Sequence, residues 1–216
     1  MASLNPRRIT ESLAYLRRAQ PRQSAPYGDG FEWNPVIAED RVEAFERCHS
    51  IRLPSEYRDF LTQIGNGGAG PYYGIFPLGT VDDNVTVREW NVNDNLVGDP
   101  AKPFRFDHAW NDTSNMPPDD LPDEEEYWRR MGDFERTYWS SEMMNGAIPI
   151  CHQGCALRIW LVVTGPQSGE LWDDRRSEYE GVRPLLLADG SRATFGAWYD
   201  EWLEQRLMAA NCKAQN

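Results

Sequence analysis

Histidine is scarce in this 216-residue chain: His49, His108 and His152 are all there are. None stands at a spacing that pairs it with a nucleophile or a second base, so hydrolytic chemistry has no evident starting point. Cysteine is nearly as sparse. Cys48, Cys151, Cys155 and Cys212 are too few for a disulfide scaffold at this length, and reduced thiols are expected. Long apolar runs are missing too, since no stretch approaches the ~20 residues that cross a bilayer. At the start of the chain, Arg7 and Arg8 lead to Thr10 and Glu11 instead of an apolar signal core, so a first domain helix in a cytoplasmic protein is expected. The triplets at residues 84–86 and 111–113 match a glycosylation site but carry no weight in that compartment.

Positive charge is the last shortage. Lys and Arg number 22 against 34 Asp and Glu, a net charge of -12. That balance argues against direct nucleic-acid or anionic-membrane binding and favours a basic partner or simple solubility. The imbalance is local. Residues 80–145 hold 16 acidic and 6 basic residues, whereas the remainder of the chain is close to balanced. Within that segment Asp119, Asp120, Asp123, Glu124, Glu125 and Glu126 place six carboxylates in eight positions, with Tyr127 and Trp128 directly after them. Such a run repels itself, and a solvated loop is its default. The aromatic pair beside it offers the apolar anchor through which interfaces concentrate affinity, so these six carboxylates and Trp128 are the candidate partner-binding residues.

The pattern along the chain predicts helices over residues 9–18 and 38–48, a loose Pro/Gly/Ser linker at 20–35, and a third helix at 53–64. In the third helix Tyr57, Phe60, Leu61 and Ile64 fall on one face, Pro54 suits its first turn, and Gly65 is placed to close it in a left-handed conformation. Residues 72–78 and 85–90 read as the first strands of a meander, 91–116 as a loop, and 126–139 as a short helix. Strands follow at 148–151, 157–163, 170–172 and 182–187. A closing helix spans 194–209, with Thr194 as N-cap and Phe195, Trp198, Trp202 and Leu203 on one face. The fold class implied is α+β, one domain over 1–216, with helices packed on a twisted, mostly antiparallel sheet. Residues 1–35 form its N-terminal helix and linker, and 91–146 an acidic insert.

Candidate chemistries can be weighed one by one. Cys151, His152 and Cys155 lie close together, as do Cys48 and His49, but CHQGC lacks the spacing of a zinc knuckle and Cys151 falls in a strand. The turn NGGAGP follows a helix C-terminus, where the dipole repels phosphate, and carries no Lys-Ser/Thr. GPQSG displaces Ser168 by one from the nucleophile-elbow position. No pair of carboxylates stands out as a hydrolase site. No catalytic set, cofactor or metal is therefore expected. Of the nine tryptophans, Trp160, Trp198 and Trp202 are expected in the core; Trp90, Trp110, Trp128 and Trp139 flank or occupy the acidic segment and are expected either to pack it onto the sheet or to serve an interface.

The order L-P-x-x-Y-x-x-F-L, then N-G-G, then G-P-x-Y-G-I-x-P-L over residues 53–79 resembles the SUKH superfamily. A second block at 148–174 is similar to the same family through Gly154, Cys155, Gly169 and Trp172, with Ala156 where the family usually has glycine, a departure expected to be minor. The match at Cys155 implies a small buried side chain. A third block at 195–203 resembles the closing aromatic helix. The resemblance implies a non-enzymatic immunity protein that neutralises a cognate bacterial toxin by tight complex formation; many such toxins are nucleases, whose basic substrate channels suit the basic partner that the net charge favours. The family's eukaryotic branch implies the alternative, an intracellular regulatory scaffold for cell-wall assembly. The toxin's identity, the binding surface and the oligomeric state are not written in any motif.

Overall fold

The computed structural model describes residues 4–19, 24–25, 28–29, 31–82, 87–90 and 95–214. Its elements, in chain order, are α1 (Pro6–Ala19), β1 (Ser24–Ala25), β2 (Gly28–Asp29), α2 (Glu39–His49), α3 (Ser55–Gln63), β3 (Thr80–Asp82), β4 (Val87–Glu89), α4 (Glu124–Tyr138), β5 (Ala147–Gly154), β6 (Leu157–Val162), β7 (Leu171–Asp174), β8 (Val182–Pro184) and α5 (Phe195–Ala214). The last four strands pair antiparallel in the order β5-β6-β7-β8, and β3 pairs with β4 as a separate ribbon. The class is α+β, as the sequence indicates.

The run LRIWLV forms β6 because β-branched and aromatic side chains suit a pleated surface, and its apolar character on both sides buries every one of its residues. Trp160 on β6 and Trp172 on β7 are cross-strand neighbours, and both are almost fully enclosed. The predicted face of α3 is buried as a unit. It meets α5 first: Phe60 lies with its ring centroid 5.1 Å from Phe195 and 5.1 Å from Tyr199, and Tyr57 is 4.9 Å from Phe195. The face of α3, the residues of β6, Trp198 and Trp202 all belong to one continuous core. Helix α1 joins that core through Ile9, Leu13 and Leu16, and Arg8 reaches Glu204 of α5 at 2.8 Å. Thr194 Oγ1 accepts the N–H of Ala197 at 3.4 Å, the N-cap read from the sequence.

Several expectations are corrected. Residues 72–78 do not form a strand. Pro71 and Pro77 bracket a turn in which Gly74 N–H donates to the Pro71 carbonyl, and Tyr72 and Gly74 both adopt positive φ. The segment runs beside β5 through isolated bonds, such as Phe76 N–H to Ile150 O at 2.8 Å, without extending the sheet. Gly65 does not take the left-handed conformation; Gly67 (φ 80°) and Gly68 (φ 107°) do. At Gly65 the constraint is space, since a Cβ there would lie 2.6 Å from Cδ1 of Trp33. Pro54 stands at the N-cap of α3, one place before the first helical residue. The 84–86 triplet and parts of the 20–35 linker and the 85–90 strand lie outside the described residues.

Candidate partner-binding face

The acidic run is ordered as the start of a helix. Asp123 is the N-cap of α4, its carboxylate accepting the N–H of Glu126 at 3.1 Å, and Glu124, Glu125 and Glu126 form the first turn. Unpaired N–H groups and the positive end of the helix dipole stabilise carboxylates there, so the charges that repel one another in a loop become favourable at this position. The solvated-loop expectation is thus replaced for Asp123 and the three glutamates, while Asp119 and Asp120 precede the helix as exposed chain. Glu126 is hydrogen bonded by Arg129 at 2.8 Å, which holds its carboxyl below the usual range.

Helix α4 attaches to the rest of the molecule through Met131, Phe134 and Tyr138. These form a small aromatic cluster with Trp110, Met116, Tyr127 and Tyr179, which Trp110 bridges to the main core. Tyr138 OH donates to Asn111 at 2.6 Å and Tyr179 OH to Glu135 at 2.7 Å. Burial, reinforced by the Glu135 carboxylate, pushes the Tyr179 phenol up to about 12. Of the four tryptophans around the acidic segment, Trp90 is buried against Phe45 and His49, and Trp110 packs between Phe106 and Tyr138. Trp128 and Trp139 instead present 62% and 43% of their surface to solvent. Trp128 Nε1 reaches Glu124 at 3.4 Å; Trp139 donates to the Arg176 carbonyl at 2.9 Å and stacks on Tyr179. Of the candidate residues, Asp119, Asp120, Asp123, Glu124, Glu125 and Trp128 are exposed, and Glu126 on the same stretch is half-buried and held by Arg129.

The cysteine and histidine candidates are dispersed. Cys151 is buried in β5, where burial raises its thiol pKa and its Sγ donates to the Pro71 carbonyl at 3.4 Å. Cys155 corrects the expectation of a buried side chain: it is exposed at the β5-β6 turn with φ 50°, followed by Ala156 at φ 63°. Cys48 and Cys212 are exposed as well. Among the described residues no group of three or more His, Cys, Asp or Glu is placed to hold a metal ion, and no helix is long and apolar enough to cross a membrane.

Sequence reasoning overlooked the buried charges. Asp82, His152, Arg158, Asp174 and Arg176 gather at one end of the sheet. Arg176 makes a bidentate pair with Asp174 (2.8 and 2.7 Å) and donates to the carbonyls of Tyr138 and Ser140, fastening the end of α4 to β7. His152 Nδ1 lies 3.3 Å from Asp82. Beside them a pocket of about 220 Å³ is bounded by Trp139, Trp160, Arg158 and Arg176. A strand pattern does not distinguish a paired interior charge from a solvent-facing one, so no sequence signal marked these residues.

The helices packed on an antiparallel sheet, with an exposed acidic and aromatic helix at its margin, make an α+β domain. The chain belongs to the SMI1 / KNR4 family (SUKH-1), whose model matches residues 37–180, well over half of the sequence. Those bounds enclose the acidic segment and stop before α5, so the third block of resemblance lies beyond the match. No curated protein and no solved structure matches the chain. Members of the family are in general binding proteins without catalysis.

Proposed function

We propose that the protein is a cytoplasmic immunity protein that neutralises a toxin by tight binding, and that the N-terminal end of α4 is the surface that meets it. One observation carries the reading: five exposed carboxylates, the half-buried Glu126 and Trp128 lie together at the start of α4 and just before it. A toxin that acts on nucleic acid has a basic substrate channel, so an acidic inhibitor competes with the phosphate backbone for it. The charges then raise the association rate, and the aromatic anchor slows dissociation. A regulator of cell-wall assembly would instead engage several weak partners.

The test is a search of the neighbouring genes for a toxin domain, then binding kinetics with that domain and rescue of growth on coexpression; no neighbouring toxin and no captured toxin in a pull-down would overturn the reading. Replacing the six carboxylates by Asn and Gln should slow association most at low salt, where the Debye length is ~30 Å instead of ~8 Å. Trp128→Ala should speed dissociation. Equal association rates for the amide variant and the parent at low salt would remove the acidic end of α4 from the interface.

A further inference from the structure

Glycine inside a helix is destabilising relative to alanine, because it loses more backbone freedom on folding and brings no side chain. Gly132 sits in the middle of α4, and a Cβ built there meets nothing within 4 Å. Among the described residues nothing packs there to offset the local cost, and what the glycine produces is open space on the surface.

The neighbours of that space are specific. Trp128, Gly132, Glu135 and Trp139 follow the i, i+4, i+7, i+11 spacing that keeps residues within a sector of about 60° on a helix. Trp139 holds this register just past the end of α4, since its N–H donates to the Glu135 carbonyl. The two exposed indoles stand about 16 Å apart along the axis, and a helix with its side chains is about 10–12 Å across. Both indoles are fastened through Nε1, Trp128 to Glu124 and Trp139 to the Arg176 carbonyl. Their orientations are thus set before any partner arrives, which lowers the entropy cost of binding.

We infer that Trp128 and Trp139 form the two walls of a notch floored by Gly132, and that its occupant is a basic amphipathic helix of the partner protein crossing α4. The absence of a side chain at the floor lets the two helix axes approach to the near end of the usual range of about 8–10 Å. Apolar residues of the incoming helix enter between the indoles. Its lysines and arginines lie over Asp123, Glu124 and Glu125 at the rim, whereas Glu135 is held by the Tyr179 hydroxyl. A second copy of this chain is disfavoured as occupant, because each copy carries a net charge of -12. The inference rests on the binding-protein reading above and adds to it the geometry of the epitope.

The probe is a labelled 18-residue amphipathic helix of leucine and lysine, with a scrambled peptide of the same composition as control. It is titrated against the full chain, and helicity is followed by circular dichroism. Gly132→Leu should melt above the parent, because leucine is a good helix former entering open space, and should bind the peptide at least tenfold more weakly. Gly132→Ala, the smaller change, should also melt higher and bind a few-fold more weakly, so the test survives even if leucine disturbs the fold. Trp128→Ala should weaken binding at least fivefold, and the scrambled peptide should bind the parent at least tenfold more weakly than the amphipathic one. Equal affinity of parent, Gly132→Ala and Gly132→Leu overturns the notch while leaving the acidic face intact; that face fails separately, through an amide variant that associates with the toxin domain as fast as the parent. A parent that does not bind the peptide, or one that dimerises in sedimentation and loses the dimer in Gly132→Leu, also overturns it.

Discussion

The carboxylate of Glu46, with 4% of its side chain exposed, lies 2.7 Å from the guanidinium of Arg58 and ties the last turn of α2 to the first turn of α3. Its other oxygen accepts the Leu53 N–H at 2.9 Å, and Arg58 also pairs with Glu39 at the start of α2. A buried carboxylate spent on a backbone donor and a cation makes the 50–54 connection rigid. Glu46→Ala leaves Leu53 N–H and Arg58 without that acceptor. Arg58 is partly solvated, so the loss should be about 2–3 kcal/mol, below the full cost of an isolated buried charge. The urea midpoint should fall with the m-value unchanged.

Phe60→Ala removes a fully buried ring from between Phe195 and Tyr199. The expected cost is about 3–5 kcal/mol, a large share of a typical ~5–15 kcal/mol stability. A melting curve that matches the parent would refute the packing of α3 on α5.

The turn joining β5 to β6 places Cys155 at φ 50° and Ala156 at φ 63°, between the paired residues Gly154 and Leu157. Two residues with positive φ make the type I′ hairpin turn, which prefers glycine at its second position. The departure from the family pattern at Ala156 therefore carries a steric cost, partly offset by the lower chain entropy of alanine when unfolded. Ala156→Gly should stabilise by about 0.5–1 kcal/mol, a rise of roughly 1–4 °C in melting temperature by calorimetry.

Burial lowers the pKa of His152 below 6.5; Asp82 opposes the shift and Arg158 adds to it, and the ring of Tyr73 packs edge-on. Burial lowers His49 in the same direction. The unfolded chain then binds more protons than the folded one below pH 6.5, so stability is fully present above that value and declines as pH falls. Between pH 7.5 and 5.5 the melting temperature should drop. His152→Gln should flatten the slope without abolishing it, His49 remaining. A slope identical to the parent's would assign the effect elsewhere.

Helix α3 was legible because one apolar face describes it, β6 because its apolar run is continuous on both sides, and α5 because Phe195, Trp198, Trp202 and Leu203 share one face of its first turns. Residues 72–78 misled because Tyr72, Tyr73, Ile75 and Phe76 have strand composition, while the prolines and Gly74 around them set the backbone. The start of α4 was readable in principle: Asp123 followed three places later by Glu126 is an N-terminal signature, hidden by its resemblance to a disordered acidic run. Trp128 was nominated for its neighbours in sequence. Gly132 was not, because an open surface notch depends on what is absent around a residue, and a sequence records only what is present.

The small cluster of Met131, Phe134 and Tyr138 has a consequence for how the protein can change over generations. Substitutions on the outer side of α4 act on a helix that meets the rest of the fold through a few links, Trp110 to the main core and Arg176 to β7, so most core side chains do not touch them. The outer surface of α4 can then change in sequence while the sheet keeps most of its own packing.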